Sequence, residues 1–338
     1  MPQITLKSYQ QAALNALGAF ARAAQMKGPA LAFGEQAGRP YNPDPFGAVP
    51  CVCLRIPTGG GKTVLAAHAV PLLARAWRAT DAPVAVWLVP SDTIRSQTLK
   101  ALQTAGHPYR AALEAHYGPG VKVCALEDVA QIAPPDWGRQ AVVVVATIQS
   151  FRIEETGQRN VYSFSEAFEP HFRGTDAQRL AVLQPLPDAV VAAEEAAQDG
   201  KGVLKGFVGQ PRWSLANWLA LHEPILIVDE AHNTKTDKSF TALKRLNPSF
   251  ILELTATPIP GQNQRAVPRQ RAGAGCGKHD QAANCPGRAS ARLAAGRLCS
   301  GANPTRTGSR GAEGRGRGRL WRQGLRAPHR AVPGAKRG

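Results

Sequence analysis

Five short apolar runs rich in β-branched residues recur along the first 260 positions of the chain, at 52–56, 84–89, 141–146, 225–228 and 251–254. They are nearly continuous rather than alternating, so each predicts a strand buried on both faces, as in a parallel sheet. Between them, 14–25, 64–78 and 94–102 have helical composition and length. Strands that alternate with helices predict an α/β fold with a central, mostly parallel sheet, whose ligand site lies at the carboxyl ends of the strands.

Residues 152–223 interrupt the alternation. They are polar and loop-rich, with one helix expected over 188–198, and they predict an elaboration on the sheet rather than a separate domain. Trp213 and Trp218, close to Leu215 and Leu219, are expected to pack rather than to form a binding stripe. Beyond Pro260 the pattern stops. Val267, Leu293, Leu298, Leu320, Trp321, Leu325 and Val332 are the only large apolar or aromatic residues in 261–338, and 15 positions there are Gly. Such a segment cannot bury enough surface to offset its chain entropy, so a disordered basic tail is expected after a folded unit over 1–260.

Charge sharpens that division. Residues 261–338 hold 17 Lys/Arg against two acids, Asp280 and Glu313, which leaves only +2 of the net +17 for the first 260 residues. The basic pI is therefore a property of the tail and says little about what the folded part binds. Cys51, Cys53, Cys124, Cys276, Cys285 and Cys299 form no CxxC pair with a ligand-spaced His, which argues against zinc. Cys51 and Cys53 are expected to act as small apolar residues. No signal segment or membrane span is expected, and the compartment expected is cytoplasmic.

The chemistry concentrates at the ends of three of the apolar runs. After the first comes Pro57-Thr58-Gly59-Gly60-Gly61-Lys62-Thr63. A Gly-rich turn between strand and helix lets backbone amides close around a triphosphate, with Lys62 reaching the β- and γ-phosphates and Thr63 ligating Mg²⁺. Position 56, where the full phosphate-loop pattern has Gly, is Ile. After the fourth run comes Asp229-Glu230-Ala231-His232, an acid pair delivered by a buried strand. Asp229 suits a Mg²⁺ ion held through its water shell, and Glu230 suits the orientation and deprotonation of an attacking water. After the fifth comes Leu254-Thr255-Ala256-Thr257-Pro258.

With these three motifs in this order, the chain resembles the superfamily-two helicases and translocases with a DEAH box. It looks closest to the restriction subunit of type III restriction enzymes, through Trp87-Leu88-Val89-Pro90-Ser91, Ile94-Arg95-Ser96-Gln97-Thr98-Leu99, Thr147-Ile148-Gln149-Ser150-Phe151 and the Asn233 after the box. Helicases commonly relax the glycine that Ile56 replaces. The resemblance covers about residues 4–260 and implies one RecA-like lobe that binds ATP and Mg²⁺. It implies that Gln10, in Leu6-Lys7-Ser8-Tyr9-Gln10, reads the adenine edge, and that Thr58, Gly59, Gly60, Gly61, Lys62 and Thr63 hold the phosphates. Lys62, Asp229, Glu230 and His232 would be catalytic, Thr255 and Thr257 would couple hydrolysis to movement, and Pro90, Ser91, Thr147 and Gln149 would touch nucleic acid. Ser91 and Thr147 would look much the same as plain helix caps.

The same resemblance implies double-stranded DNA and a DNA-modification methyltransferase subunit as partners, together with a second lobe carrying arginine fingers. No strand-helix alternation follows Pro260, so a truncated, weakly active lobe is expected. Three readings of the tail stay open: an Arg/Gly segment that grips nucleic acid through Gly314-Arg315-Gly316-Arg317-Gly318-Arg319, an inert extension, or the favoured one, out-of-frame translation of a GC-rich gene. The alternative function is a non-catalytic nucleic-acid-binding protein that works through this tail.

Overall fold

The computed structural model describes residues 5–152 and 161–258. The strands are β1 (Cys51–Arg55), β2 (Val84–Val89), β3 (Lys122–Ala125), β4 (Val142–Thr147), β5 (Ile225–Asp229) and β6 (Phe250–Thr255). They form one sheet in the order β1-β6-β5-β2-β4-β3, and every pairing is parallel. β2, β4 and β6 are buried along their whole length, which is why their sequences are apolar apart from Glu253 and the closing Thr147 and Thr255. The parallel α/β sheet and all five expected strands are therefore present. β3 has no counterpart among the expected runs. It is an edge strand whose Lys122 is exposed and Val123 only half-buried, so four residues of mixed polarity carry no run to detect.

Helices cover both faces. α1 (Ser8–Lys27), α2 (Pro29–Ala37), α3 (Lys62–Leu73), α4 (Asp92–Gln103) and α5 (Pro108–Tyr117) precede or connect the early strands. Ala13, Leu14, Leu17, Phe20, Ala21 and Ala24 recur at helical spacing in α1 and pack with Leu65, Val70, Trp87, Ile227 and Leu252 on one side of the sheet. Phe20 and Trp77 meet the ring of Phe250 edge-on at 6.2 and 6.0 Å, contacts worth about 0.5–1.5 kcal/mol each beyond their burial. α1 starts six residues before the expected helix because its first turn is polar and turned to another use, described below.

The opposite side is covered by residues 161–223 and the helix Asp237–Arg245. Phe168, Phe172, Leu183 and Trp218 share a buried cluster with Val86, Leu88, Val144 and Ile251. Trp218 meets Trp137 edge-on at 5.5 Å, and Trp213 stacks on Phe164 at 5.4 Å, so both tryptophans pack. The helix expected over 188–198 is shorter: only Ala193–Gln198 is helical. Asp188 is left-handed, and Val190 and Val191 form isolated bridges to Pro211 and Val208, so backbone pairing displaces the first turns. Arg245, 3% exposed, donates through Nη2 to Asn217 Oδ1 at 2.6 Å and lies over the Tyr162 ring, tying this layer to the helix Asp237–Arg245. Among the described residues no helix is long and apolar enough to cross a membrane. The tail expected over 261–338 lies outside the described residues.

Candidate active site

The parallel sheet puts the carboxyl ends of β1, β6, β5, β2 and β4 along one edge in that order. The phosphate loop leaves β1, the acid pair ends β5 and Thr255 ends β6, so the three chemical motifs occupy neighbouring strand ends.

After Arg55 the chain turns through 57–61 and enters α3 at Lys62. Gly59 and Gly61 have φ of 73° and 79°, left-handed values that side chains rarely adopt. At Gly60 a Cβ would fall 2.8 Å from the Pro57 carbonyl oxygen, so the loop can close only on glycine. Gly61 caps α3, whose first amides point out of the loop and make a natural anion seat. Thr58 and Gly59 are exposed, while Lys62 and Thr63 are half-buried on the first turn of α3.

The first turn of α1 braces this loop. Tyr9 Oη and Gln10 Nε2 both donate to the Gly60 carbonyl, at 2.8 and 2.9 Å, and Gln10 Oε1 accepts from the Lys7 amide at 2.9 Å. Gln10 is thus buried as a strut between helix and loop, which leaves its amide one N–H and one lone pair for any further partner. Tyr9 is a loop contact that sequence reasoning missed. A tyrosine beside a glutamine carries no signal until the helix is docked.

Across from the loop, Lys62 Nζ pairs with Glu230 Oε1 at 2.7 Å. Glu230 has φ 50° and ψ 49°, a left-handed conformation that costs a non-glycine residue about 1–3 kcal/mol and persists only where its surroundings hold it. Its Oε2 lies 3.3 Å from His232 Nδ1, which is also 3.0 Å from Thr255 Oγ1. Thr255 Oγ1 accepts from the Thr257 amide at 3.2 Å. A carboxylate can only accept, so a proton on Nδ1 of His232 satisfies both of its neighbours. A continuous chain of polar contacts therefore runs from Lys62 through Glu230 and His232 to Thr255 and Thr257.

Asp229 ends β5 half-buried, with its Oδ1 accepting from the Glu230 amide at 3.0 Å. Burial, and then the adjacent Glu230 charge, push its carboxyl from 3.8 up to about 6, against the lowering effect of that amide and of Lys62. The folded chain therefore holds this proton more tightly than the unfolded chain. The group's contribution to stability is present below the unfolded value near 4 and is lost as pH rises through about 6, the reverse of an ordinary salt-bridged aspartate. A cation binding there must displace the proton. The affinity of this carboxyl for any divalent cation in the nucleotide-free chain is therefore expected to weaken about tenfold per pH unit below 6, with Mg²⁺ as the probe. Carboxyl-carbon NMR of Asp229 with and without Mg²⁺ checks this, and a metal-free midpoint near 4 would contradict it.

The expected nucleic-acid contacts lie on the next two strand ends. Val89 of β2 registers with Thr147 of β4, so the segments that follow them, beginning at Pro90 and Ile148, leave the sheet side by side. Ser91 caps α4, its Oγ accepting from the Ile94 amide at 3.4 Å. Thr147 is 5% exposed and its hydroxyl is within hydrogen-bond distance of Ser150 Oγ, at 3.0 Å, whereas Gln149 is exposed and Pro90 half-buried.

Two solved structures are similar in part. One is a nuclease-deletion mutant of the Type ISP restriction-modification enzyme LlaGI in complex with a DNA substrate mimic, at 16% identity and TM-score 0.36. The other is the SWI2/SNF2 ATPase core of Sulfolobus solfataricus in complex with dsDNA, at 15% identity and TM-score 0.36. The matches cover 75% and 77% of this chain but only 18% and 34% of those chains, so this chain spans about a fifth and about a third of their length. No curated protein matches the chain. The family model described as type III restriction enzyme, res subunit, matches residues 3–260, and the chain belongs to that family.

Proposed function

We propose that residues 1–260 form the ATP-binding lobe of a DNA-dependent translocase or helicase of a type III restriction-like system, and that this chain alone binds Mg·ATP weakly and hydrolyses it slowly. The observation that carries the reading is the unbroken contact chain from Lys62 through Glu230 and His232 to Thr255. It links a phosphate seat to an acid pair and to the strand end that follows.

In this reading Thr58, Gly59, Gly60, Gly61 and Lys62 hold the phosphates, with backbone amides and the ammonium matching anionic oxygens. Gln10 stiffens the loop from below through Gly60 and offers the nucleotide base its remaining amide valences. Thr63 and Asp229 supply a hydroxyl and a carboxylate, hard oxygen donors of the kind Mg²⁺ takes while keeping several waters. When bound, that ion would neutralise charge on the β- and γ-phosphate oxygens. Glu230 orients a water and accepts its proton as the water oxygen bonds to the γ-phosphorus and the bond to the β-bridging oxygen breaks. His232 holds Glu230 on one side and reports its state to Thr255, and through it Thr257, on the other.

Pro90, Ser91, Thr147 and Gln149 contribute loop amides and polar side chains to sugar-phosphate contacts, with Gln149 and Ser91 the accessible members of the set. Duplex DNA is the proposed polymer, and a DNA-modification methyltransferase subunit is the proposed protein partner. The opposite wall of the ATP cleft, with its arginine finger, is supplied from outside residues 1–260.

The test is calorimetric titration of the full chain with Mg·ATP, with and without duplex DNA, and with EDTA as control. Saturable, Mg²⁺-dependent binding and turnover that rises with DNA are expected. Absence of binding at millimolar Mg·ATP would defeat the proposal.

A further inference from the structure

The segment that follows the acid pair is held by a second, deeper contact. Lys235 and Glu253 form an ion pair with side chains only 5% and 2% exposed. Charged side chains are almost never buried to that degree unless paired. The Lys235 ammonium also lies over the Phe240 ring, 5.7 Å from its centroid. Glu253 in turn accepts from the buried Cys51 thiol, whose pKa is pushed well above its usual value by burial and then by this carboxylate.

The position of the pair is what gives it meaning. Glu253 and Thr255 are two residues apart on β6, so both side chains leave the same face of the sheet. Lys235 and His232 are three residues apart on the stretch that begins with the 3₁₀ turn Ala231–Thr234. The stretch and the strand are therefore joined by two rungs: His232 to Thr255, partly exposed and in the site, and Lys235 to Glu253, buried behind it. The turn between them has no long helix or strand of its own, and it carries the left-handed Glu230 at its start.

We infer that Lys235 and Glu253 are positioning residues, a buried staple that sets the register of the acid-pair turn on β6 and so holds His232 over Thr255. The inference rests on the ATPase reading above, for which it names two residues that touch neither nucleotide nor metal. A buried ion pair is a poor source of stability, since apolar residues of like volume commonly do as well or better. What the pair supplies and two methionines would not is direction: opposite charges this deeply buried hold one stretch of chain against one place on the strand.

The test separates stability from placement. In the full chain, the double variant Lys235→Met/Glu253→Met removes both charges and leaves no lone buried ion, so it keeps the fold where either single variant can lose it. Expected are an unfolding temperature equal to or above the parent's, unchanged hydrogen-exchange protection across β1, β2, β4 and β5, and exchange accelerated about tenfold or more over 230–236 and at Thr257. A stable double variant whose 230–236 exchange equals the parent's would overturn the inference, as would acceleration spread evenly over the sheet. Mg·ATP titration of the parent keeps the two readings apart: a parent that binds no nucleotide refutes the ATPase assignment, while the exchange pattern still decides the staple.

Discussion

Replacing Lys62 by alanine is expected to weaken Mg·ATP binding by roughly 10²- to 10³-fold, within the range for truncating one partner of a buried, hydrogen-bonded charge pair. Lys62 is 10% exposed at its side chain and stands at the start of α3, so its ammonium and the first amides of the helix act on the same anion. Alanine keeps the helix, and it leaves Gly59, Gly60 and Gly61 free to form the same turn. The affinity therefore falls without loss of the fold. The free protein registers the change as well. Lys62 lowers the Asp229 carboxyl and pairs with Glu230, so without it the two acids face each other with less compensation and Asp229 moves further up. Titration with a fluorescent ATP analogue, alongside a thermal melt that shows both proteins folded, checks the prediction. Equal affinity in parent and variant would remove the basis for calling 57–63 a phosphate site.

The contrast between what is and is not legible in the sequence follows from where each signal lies. β1, β2, β4, β5 and β6 are readable because a strand buried on both faces must be apolar at successive positions. β3 is not, because its first two residues, the exposed Lys122 and the half-buried Val123, carry no such requirement. The glycines of the loop are readable because the steric demand is local: Gly60 has the Pro57 carbonyl in its way three residues back. Gln10 could be named only from family resemblance, because the loop that it braces lies fifty residues on. The pairing of Lys235 with Glu253 leaves no local trace. In the sequence Lys235 is one polar residue in a polar stretch, and Glu253 interrupts an apolar strand; only the folded chain brings them together. The left-handed backbone at Glu230 is equally hidden, since nothing in a Glu codes for a positive φ.

The second large effect separates binding from chemistry. Glu230→Gln is expected to lower the rate of the hydrolytic step by about 10²- to 10⁴-fold, the usual worth of a positioned general base, while Mg·ATP binds as tightly as to the parent or more tightly. The amide has the shape of the carboxylate and its oxygen still accepts from His232, so the contact onward to Thr255 survives. Two things change in favour of the nucleotide. Lys62 no longer has an anionic partner competing with the phosphates, and one negative charge beside them is gone. Asp229 supplies an independent readout. The Glu230 charge is the second of the causes that raise its carboxyl to about 6, so in the variant its midpoint moves down and Mg²⁺ is held to lower pH than in the parent. Single-turnover hydrolysis at saturating Mg·ATP, nucleotide titration and the Asp229 carboxyl resonance measure the three effects separately. A hydrolytic rate within about threefold of the parent's, far short of what a general base contributes, would mean that Glu230 serves only to hold Lys62 in the empty site and that the proton leaves the attacking water by another route.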